Sequence, residues 1–220
     1  MLNRKVPGEP AAKNRLNDLV EGKYAFTSVF YDFLDYPWER MYRKWRPGLL
    51  RDVDGTVFEA GVGTGRNLEY YSPGARVIGA DLSRGMLARA KKRAENAPCQ
   101  VTLIHEDVTK MKSVPSAHFD WVFSSFLCCV MPDALQPLAI GEFSRILKPG
   151  GRFRVLEMVY SRNEKLRKRQ DFFAPFVEKV FGARFDRNTV TYLMDCPTLK
   201  ITGKYFLKKD VYLVIEGTRL

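Results

Sequence analysis

An α/β fold, with a doubly wound, mostly parallel sheet of seven strands ending in an antiparallel hairpin, is predicted by three observations. From Thr56 onward, short β-branched runs alternate with longer helical patterns. A glycine-rich turn follows the first of these runs directly, and the last two runs are separated only by Lys208, Lys209 and Asp210. Strands fed by helices in alternation make a parallel sheet with right-handed crossovers. Two runs joined by so short a link make a hairpin.

The elements follow in order. Residues 1–54 are rich in aromatic side chains (YAFTSVFYDFLDYPWERMYRKW) and read as a mostly helical cap over the carboxyl edge of the sheet, which occupies a second unit, residues 55–220. Strands are expected over 56–60, 76–80, 101–105, 119–124 and 152–158. The clearest helices are expected over 84–96 and 133–147, the second opening after Pro132 and stopping at Lys148-Pro149-Gly150-Gly151. The runs 201–207 and 211–217 form the hairpin, which adds an antiparallel edge to the parallel sheet.

With 220 residues, 45% hydrophobic and 28% charged, the chain suits one sizeable core and is neither disordered nor collagen-like. Its most apolar run, 122–131, is too short to span a bilayer and carries two serines. The start, MLNRKVPGEP, lacks an apolar signal core, so no secretion signal is expected. The formal charge of +11 favours approach to an anionic partner. It is uneven: residues 160–220 hold 13 Lys and Arg against 7 Asp and Glu, a balance of +6. Cys99, Cys128, Cys129 and Cys196 lack metal-site spacing and read as reduced thiols of a cytoplasmic protein, with no metal expected.

The most informative block is VFEAGVGTGRN, in which Glu59, Gly61, Gly63 and Gly65 follow the first strand and precede a helix. Glycine permits the tight turn and lets a ligand approach the backbone without a Cβ in the way. The spacing is G-x-G-x-G, not the G-x-G-x-x-G of turns that seat a pyrophosphate on a helix N-terminus. Asp81 ends the second strand 22 positions after Glu59, where a carboxylate can accept hydrogen bonds from both hydroxyls of a ribose. After the third strand, Asp107 is placed to accept from the exocyclic amine of adenine, with Val108 offering its backbone N–H. All three acids fall at strand carboxyl ends, where open α/β sheets bind ligands. The pattern is that of a nucleoside site without provision for a pyrophosphate.

On these blocks the sequence resembles the class I S-adenosylmethionine-dependent methyltransferases, within them the ubiquinone/menaquinone-biosynthesis-like branch, and it is similar also to phospholipid N-methyltransferases. The matching stretches are EAGVGTG at 59–65, GADLSRGMLARA at 79–90, HEDV at 105–108, FDWVFSSF at 119–126 and LKPGGRF at 147–153. The resemblance implies a Rossmann-like methyltransferase fold, S-adenosylmethionine as cofactor and S-adenosylhomocysteine as product. It implies that Glu59 and the Gly61, Gly63 and Gly65 loop hold the methionine portion and Asp81 the ribose. Leu82 and Met86 would flank the adenine, Asp107 and Val108 would read its edge, and Ser124 completes the expected cofactor set. Ala60 and Val62 depart from the family's usual residues without blocking a ligand. Upstream, Tyr24 and the Tyr31-Asp32 pair resemble the paired tyrosines of the N-terminal helix in quinone and phospholipid methyltransferases, which implies a role at the acceptor pocket.

A sulfonium is already a strong electrophile, so the protein's main task is to align the acceptor and exclude water. An acceptor carbon or oxygen must also be deprotonated, and a protonated amine must lose its proton. Glu157 and Tyr160, near the end of the fifth strand, join Tyr24 and Tyr31 as candidate catalytic residues. His105 and His118 read as structural, and Cys128 and Cys129 as small packing residues. After the fourth strand stands Ser124-Ser125-Phe126-Leu127, without the paired prolines of amino-methylating nucleic-acid enzymes, which argues against a nucleic-acid substrate. Phe126, Leu127, Val130 and Met131 suit a hydrophobic acceptor. Residues 160–185 set a basic cluster beside phenylalanines, which fits an anionic membrane surface; the competing reading is a solvated helix with ordinary core packing.

The expectation is therefore a cytoplasmic methyltransferase, peripheral at the inner membrane surface, acting on a lipophilic small molecule, either an aminophospholipid head group or a quinone precursor. The alternatives are methylation of a small thiol or other soluble metabolite, and a catalytically silent cofactor- or RNA-binding protein. The sequence leaves the oligomeric state open.

Overall fold

The computed structural model describes residues 36–220. Tyr24, Tyr31 and most of the expected cap lie outside the described residues. The described part of that segment is helix α1 (Tyr36–Leu50).

Seven strands follow: β1 (Thr56–Ala60), β2 (Arg76–Asp81), β3 (Gln100–His105), β4 (Phe119–Ser125), β5 (Leu147–Met158), β6 (Leu199–Phe206) and β7 (Tyr212–Arg219). Four further helices are α2 (Arg84–Ala94), α3 (Gln136–Ile146), α4 (Glu164–Phe181) and α5 (Thr189–Asp195). The sheet order is β3-β2-β1-β4-β5-β7-β6, with β1 to β5 parallel and β7 antiparallel to both β5 and β6. Strand order reverses between β1 and β4, so the carboxyl ends of these neighbours open the crevice in which such sheets bind ligands.

Strand alternation sorts the apolar side chains into two cores, one on each face. In β1, Val57 packs with Leu50, Val77, Phe123 and Val214 on the α1 face, while Phe58 packs with Phe119, Ile140, Phe143 and Phe153 on the α3 face. Burying both faces of a parallel sheet requires near-continuous apolar strands, which is the pattern the sequence shows. Arg154 of β5 ties α1 to the sheet. Its guanidinium is buried, pairs with Asp52 at 2.7 Å and Glu216 at 2.5 Å, donates to the Leu49 carbonyl and lies over Trp121.

The expected strand and helix positions match the structure, with two differences. The helix expected over 133–147 opens as a 3-10 turn, Asp133–Leu135, before α3, whose first turn carries Pro137. Strand β5 begins at Leu147 rather than 152, because Leu147 pairs with Phe119 ahead of a register shift. The hairpin supplies the expected antiparallel edge. Leu213, Val214 and Ile215 make β7 apolar on both faces and place it inside the sheet, leaving β6, with exposed Lys200 and Lys204, at the margin. Helix α5 carries little local signal, being seven residues long with an N-cap, Asn188, that makes no capping bond through its side chain.

Candidate active site

The glycine loop is fastened to the end of β2. Gly61 and Val62 both donate to the Ala80 carbonyl, at 2.9 and 3.0 Å, and Gly63 donates to Asp81 Oδ2 at 2.9 Å. Gly63 has φ 56°, and a Cβ there meets no atom within 4 Å, so the loop presents bare backbone at the cavity. Gly65, at φ 80°, is different: a Cβ would stand 3.0 Å from the Ala90 Cα of α2, so the third glycine sets how closely helix and loop pack.

Asp81 takes a second backbone hydrogen bond, from Ser83 N to Oδ1 at 2.8 Å, and the N-cap of α2 is Ser83, which accepts from Met86 N at 3.3 Å. Burial pushes the Asp81 carboxyl up, against the pull of the two N–H donors. Asp107 is locked in a local turn: Oδ1 accepts from the Thr109 N–H at 2.9 Å and hydroxyl at 2.7 Å, and Lys110 lies 3.4 Å from Oδ2. Asp81, Leu82, Met86, Asp107 and Val108 all line one cavity of about 750 Å³, together with Gly61 and Gly63.

Three expected site residues stand elsewhere. Glu59 lies one layer behind the wall, fully buried, accepting from Asn67 Nδ2 at 2.7 Å and the Tyr71 hydroxyl at 3.0 Å. Burial pushes its carboxyl up to about 7. It holds Asn67, and Asn67 faces the cavity. Ser124 is buried in β4, and its successor Ser125 lines the cavity, as strand alternation demands. Gly65 is turned to α2 rather than to the cavity.

The candidate bases are also set back. Glu157 is buried with its Oε1 accepting from Cys128 N at 3.0 Å, beneath the loop that follows β4, and desolvation pushes it up to about 8. Tyr160 stacks against Phe185 and under the Arg167 guanidinium. Neither lines the cavity. His105 contacts the Leu82 carbonyl at 2.8 Å, joining the ends of β3 and β2. Cys128 and Cys129 are buried free thiols pushed well above the usual range by desolvation, which disfavours the thiolate that nucleophilic chemistry requires. Among the described residues no group of His, Cys, Asp and Glu is gathered to hold a metal.

The sequence reading missed a polar cluster on α1. Arg46 donates from Nε to Asn67 Oδ1 at 2.7 Å and pairs with Glu39 at 2.5 Å, while Arg66 also pairs with Glu39. Arg46, Arg66 and Asn67 all line the cavity beside the glycine loop. Asn67 was within reach, since it closes the GVGTGRN block; Arg46 had no such signal. Phe126, also in the wall, holds φ 59°, an uncommon conformation for a bulky residue, fixed by its N–H bond to the Leu156 carbonyl and by Tyr42 packed at 4.9 Å.

Away from the glycine loop the lining is largely apolar, with Arg169, Gln170, Lys208 and Lys209 as its polar members. Leu127, Val130 and Met131 enter from the loop after β4, and Phe173, Val177 and Phe181 from α4. Trp38 of α1 meets Phe181 edge-on at 5.7 Å. One cavity thus joins a polar, glycine-edged half to a hydrophobic half.

A sheet in this order, with its glycine loop and strand-end acids, defines a nucleoside-binding α/β domain of the methyltransferase type. A family model described as a methyltransferase domain matches residues 57–151. Phosphatidylethanolamine N-methyltransferase of Cereibacter sphaeroides is 35% identical over 98 residues, 44% of this chain and 47% of that one. The ubiquinone/menaquinone biosynthesis C-methyltransferase of Syntrophotalea carbinolica is 33% identical over 132 residues, 56% and 54% of the two chains. The chain spans about half the length of these relatives. The solved structure of the N-methyltransferase NodS from Bradyrhizobium japonicum, in complex with S-adenosyl-L-homocysteine, superposes with a TM-score of 0.59 at 16% identity, over 82% of this chain and 86% of that one. Residues 57–151 thus match a methyltransferase domain, and the relatives and the shared fold support a class I S-adenosylmethionine-dependent methyltransferase. These matches support S-adenosylmethionine as cofactor and S-adenosylhomocysteine as product.

Proposed function

We propose that this protein transfers a methyl group to a lipophilic small molecule, an aminophospholipid head group or a quinone precursor. The observation that carries this is the continuity of the polar, glycine-edged half of the cavity with its apolar half. The volume lies within the range of about 300–1,000 Å³ usual for small-molecule sites.

The residues present fit the cofactor: Gly63 leaves the backbone uncovered, and Asp81 and Asp107 put carboxylates on the same wall. Bound there, S-adenosylmethionine supplies an electrophilic methyl group. Asp81 would hold the ribose hydroxyls, Leu82 and Met86 the faces of the adenine, and Asp107 with Val108 its edge. The glycine loop, Asn67 and Arg46 are placed for the methionine portion, with Glu59 fixing Asn67 from behind. Phe126, Tyr42 and Trp38 would exclude water and orient the acceptor, which supplies rate through alignment rather than covalent chemistry. Glu157 and Tyr160 have no place in the transfer itself, because neither reaches the cavity.

The test is transfer of radiolabelled methyl groups into a total lipid extract and, in parallel, a soluble metabolite extract, with the products resolved by chromatography. Label in a lipid band is expected, and its mobility distinguishes phospholipid from quinone. Label confined to the soluble extract would overturn the lipophilic acceptor; no label in either, with the cofactor bound, would overturn turnover on small molecules.

A further inference from the structure

We infer that the outward face of α4 is a docking surface for an anionic phospholipid bilayer, and that docking there turns the cavity mouth toward the membrane. This rests on the lipophilic-acceptor reading and names the surface from which that acceptor is drawn.

Lys165, Lys168, Phe172, Phe176 and Lys179 recur at steps of three, four, four and three positions, which places them on one stripe of the helix. The stripe faces out: Phe172 is 78% exposed and Phe176 51%. Its rotation is fixed by the opposite face, where the buried Gln170 side chain donates to the Val159 carbonyl at 3.0 Å and accepts from Ser161 N at 2.8 Å. The acids of α4, Glu164, Asp171 and Glu178, fall on one flank beside the stripe; two of them are turned to neighbours, Glu178 lying 3.5 Å from Arg184 and Asp171 bonding the Tyr160 phenol, while Glu164 is exposed in the first turn. What projects is therefore a pair of phenylalanines bracketed by lysines.

In water that pair is an exposed apolar patch without compensation. At a bilayer the same geometry is favourable, since rings enter the acyl boundary while ammonium groups meet lipid phosphates. The +6 balance of residues 160–220 has the matching sign. The patch is continuous with the site: Phe173, 52% exposed, meets Phe172 at 5.1 Å on one side and lines the cavity on the other, next to Arg169. The stripe projects from a helix instead of lining a groove along which a nucleic-acid backbone could track, which favours a lipid surface.

The test is cosedimentation of the full chain with phosphatidylglycerol-containing and with pure phosphatidylcholine vesicles. Binding to the anionic vesicles only, weakened by salt, is expected. Phe172→Ser with Phe176→Ser should lower partitioning by about tenfold or more. Lys165→Ala and Lys168→Ala should each lower it about fivefold. Cofactor affinity by calorimetry should stay unchanged in all of them. No sedimentation of the wild type, or equal binding by both sets of variants, would overturn the inference. So would a self-association, seen by sedimentation equilibrium, that the phenylalanine variants disperse with no vesicle binding. The two readings fail separately: vesicle binding without methylation of any lipid overturns only the acceptor, and methylation of detergent-dispersed lipid without vesicle binding overturns only the docking.

Discussion

Replacing Glu157 by Gln tests the buried acid beneath the loop that follows β4. The carboxyl is pushed from the ordinary glutamate value of 4.5 to about 8, chiefly by desolvation. Unfolded chains lose that proton near 4.5 while folded ones keep it to about 8, so between these values the native state binds more protons and stability falls as pH rises. At about 1.4 kcal/mol per pH unit, the full fall from this group is about 5 kcal/mol, present below 4.5 and lost above 8. Glu59, raised to about 7, adds a fall of about 3 kcal/mol that is complete one pH unit earlier. Between pH 7 and 8 Glu157 is the larger contributor, while Glu59 is finishing its own titration. Urea unfolding followed by tryptophan fluorescence across this range should show a declining midpoint in the wild type and a markedly shallower decline in Glu157→Gln. The Gln oxygen can still accept from Cys128 N, and the cost of its buried amide, about 1–3 kcal/mol, does not change with pH. A decline above pH 7 as steep in the variant as in the wild type would refute the assignment.

Two other outcomes follow from the site. Asp81→Ala should weaken S-adenosylmethionine binding by about 1–3 kcal/mol, since it removes the acceptor expected for the ribose and frees the Gly63 N–H; unchanged affinity by calorimetry would remove Asp81 from the ribose. Gly65→Ala, at φ 80° with its Cβ brought against Ala90, should destabilise by about 1–3 kcal/mol, and a thermal midpoint equal to wild type would count against that close packing.

Much of this molecule is legible in one dimension because its determinants are local. Short, near-continuous apolar runs fix β1 to β4, and Ser83 and the glycine block mark where strands turn into helices. The placement of Asp81 and Asp107 at strand ends follows from that alternation alone, since a parallel sheet brings every carboxyl end to one edge. Depth was not legible. Glu59 heads the most conspicuous motif, yet its carboxylate lies behind the wall because strand alternation and the Asn67 and Tyr71 partners turn it inward. Ser124 and Ser125 differ by one residue and face opposite sides of β4.

The sequence by itself determined the alternation of elements, the glycine loop and the acids beside it, because each depends on backbone conformation over a few residues. Only the tertiary structure decided which side chains share the cavity. Arg46 meets Asn67 across 21 positions, Cys128 rests on Glu157 across 29, and Arg154 grips Asp52 across 102. Such pairs carry no local signature; they exist because sheet order and burial bring distant segments within hydrogen-bond reach.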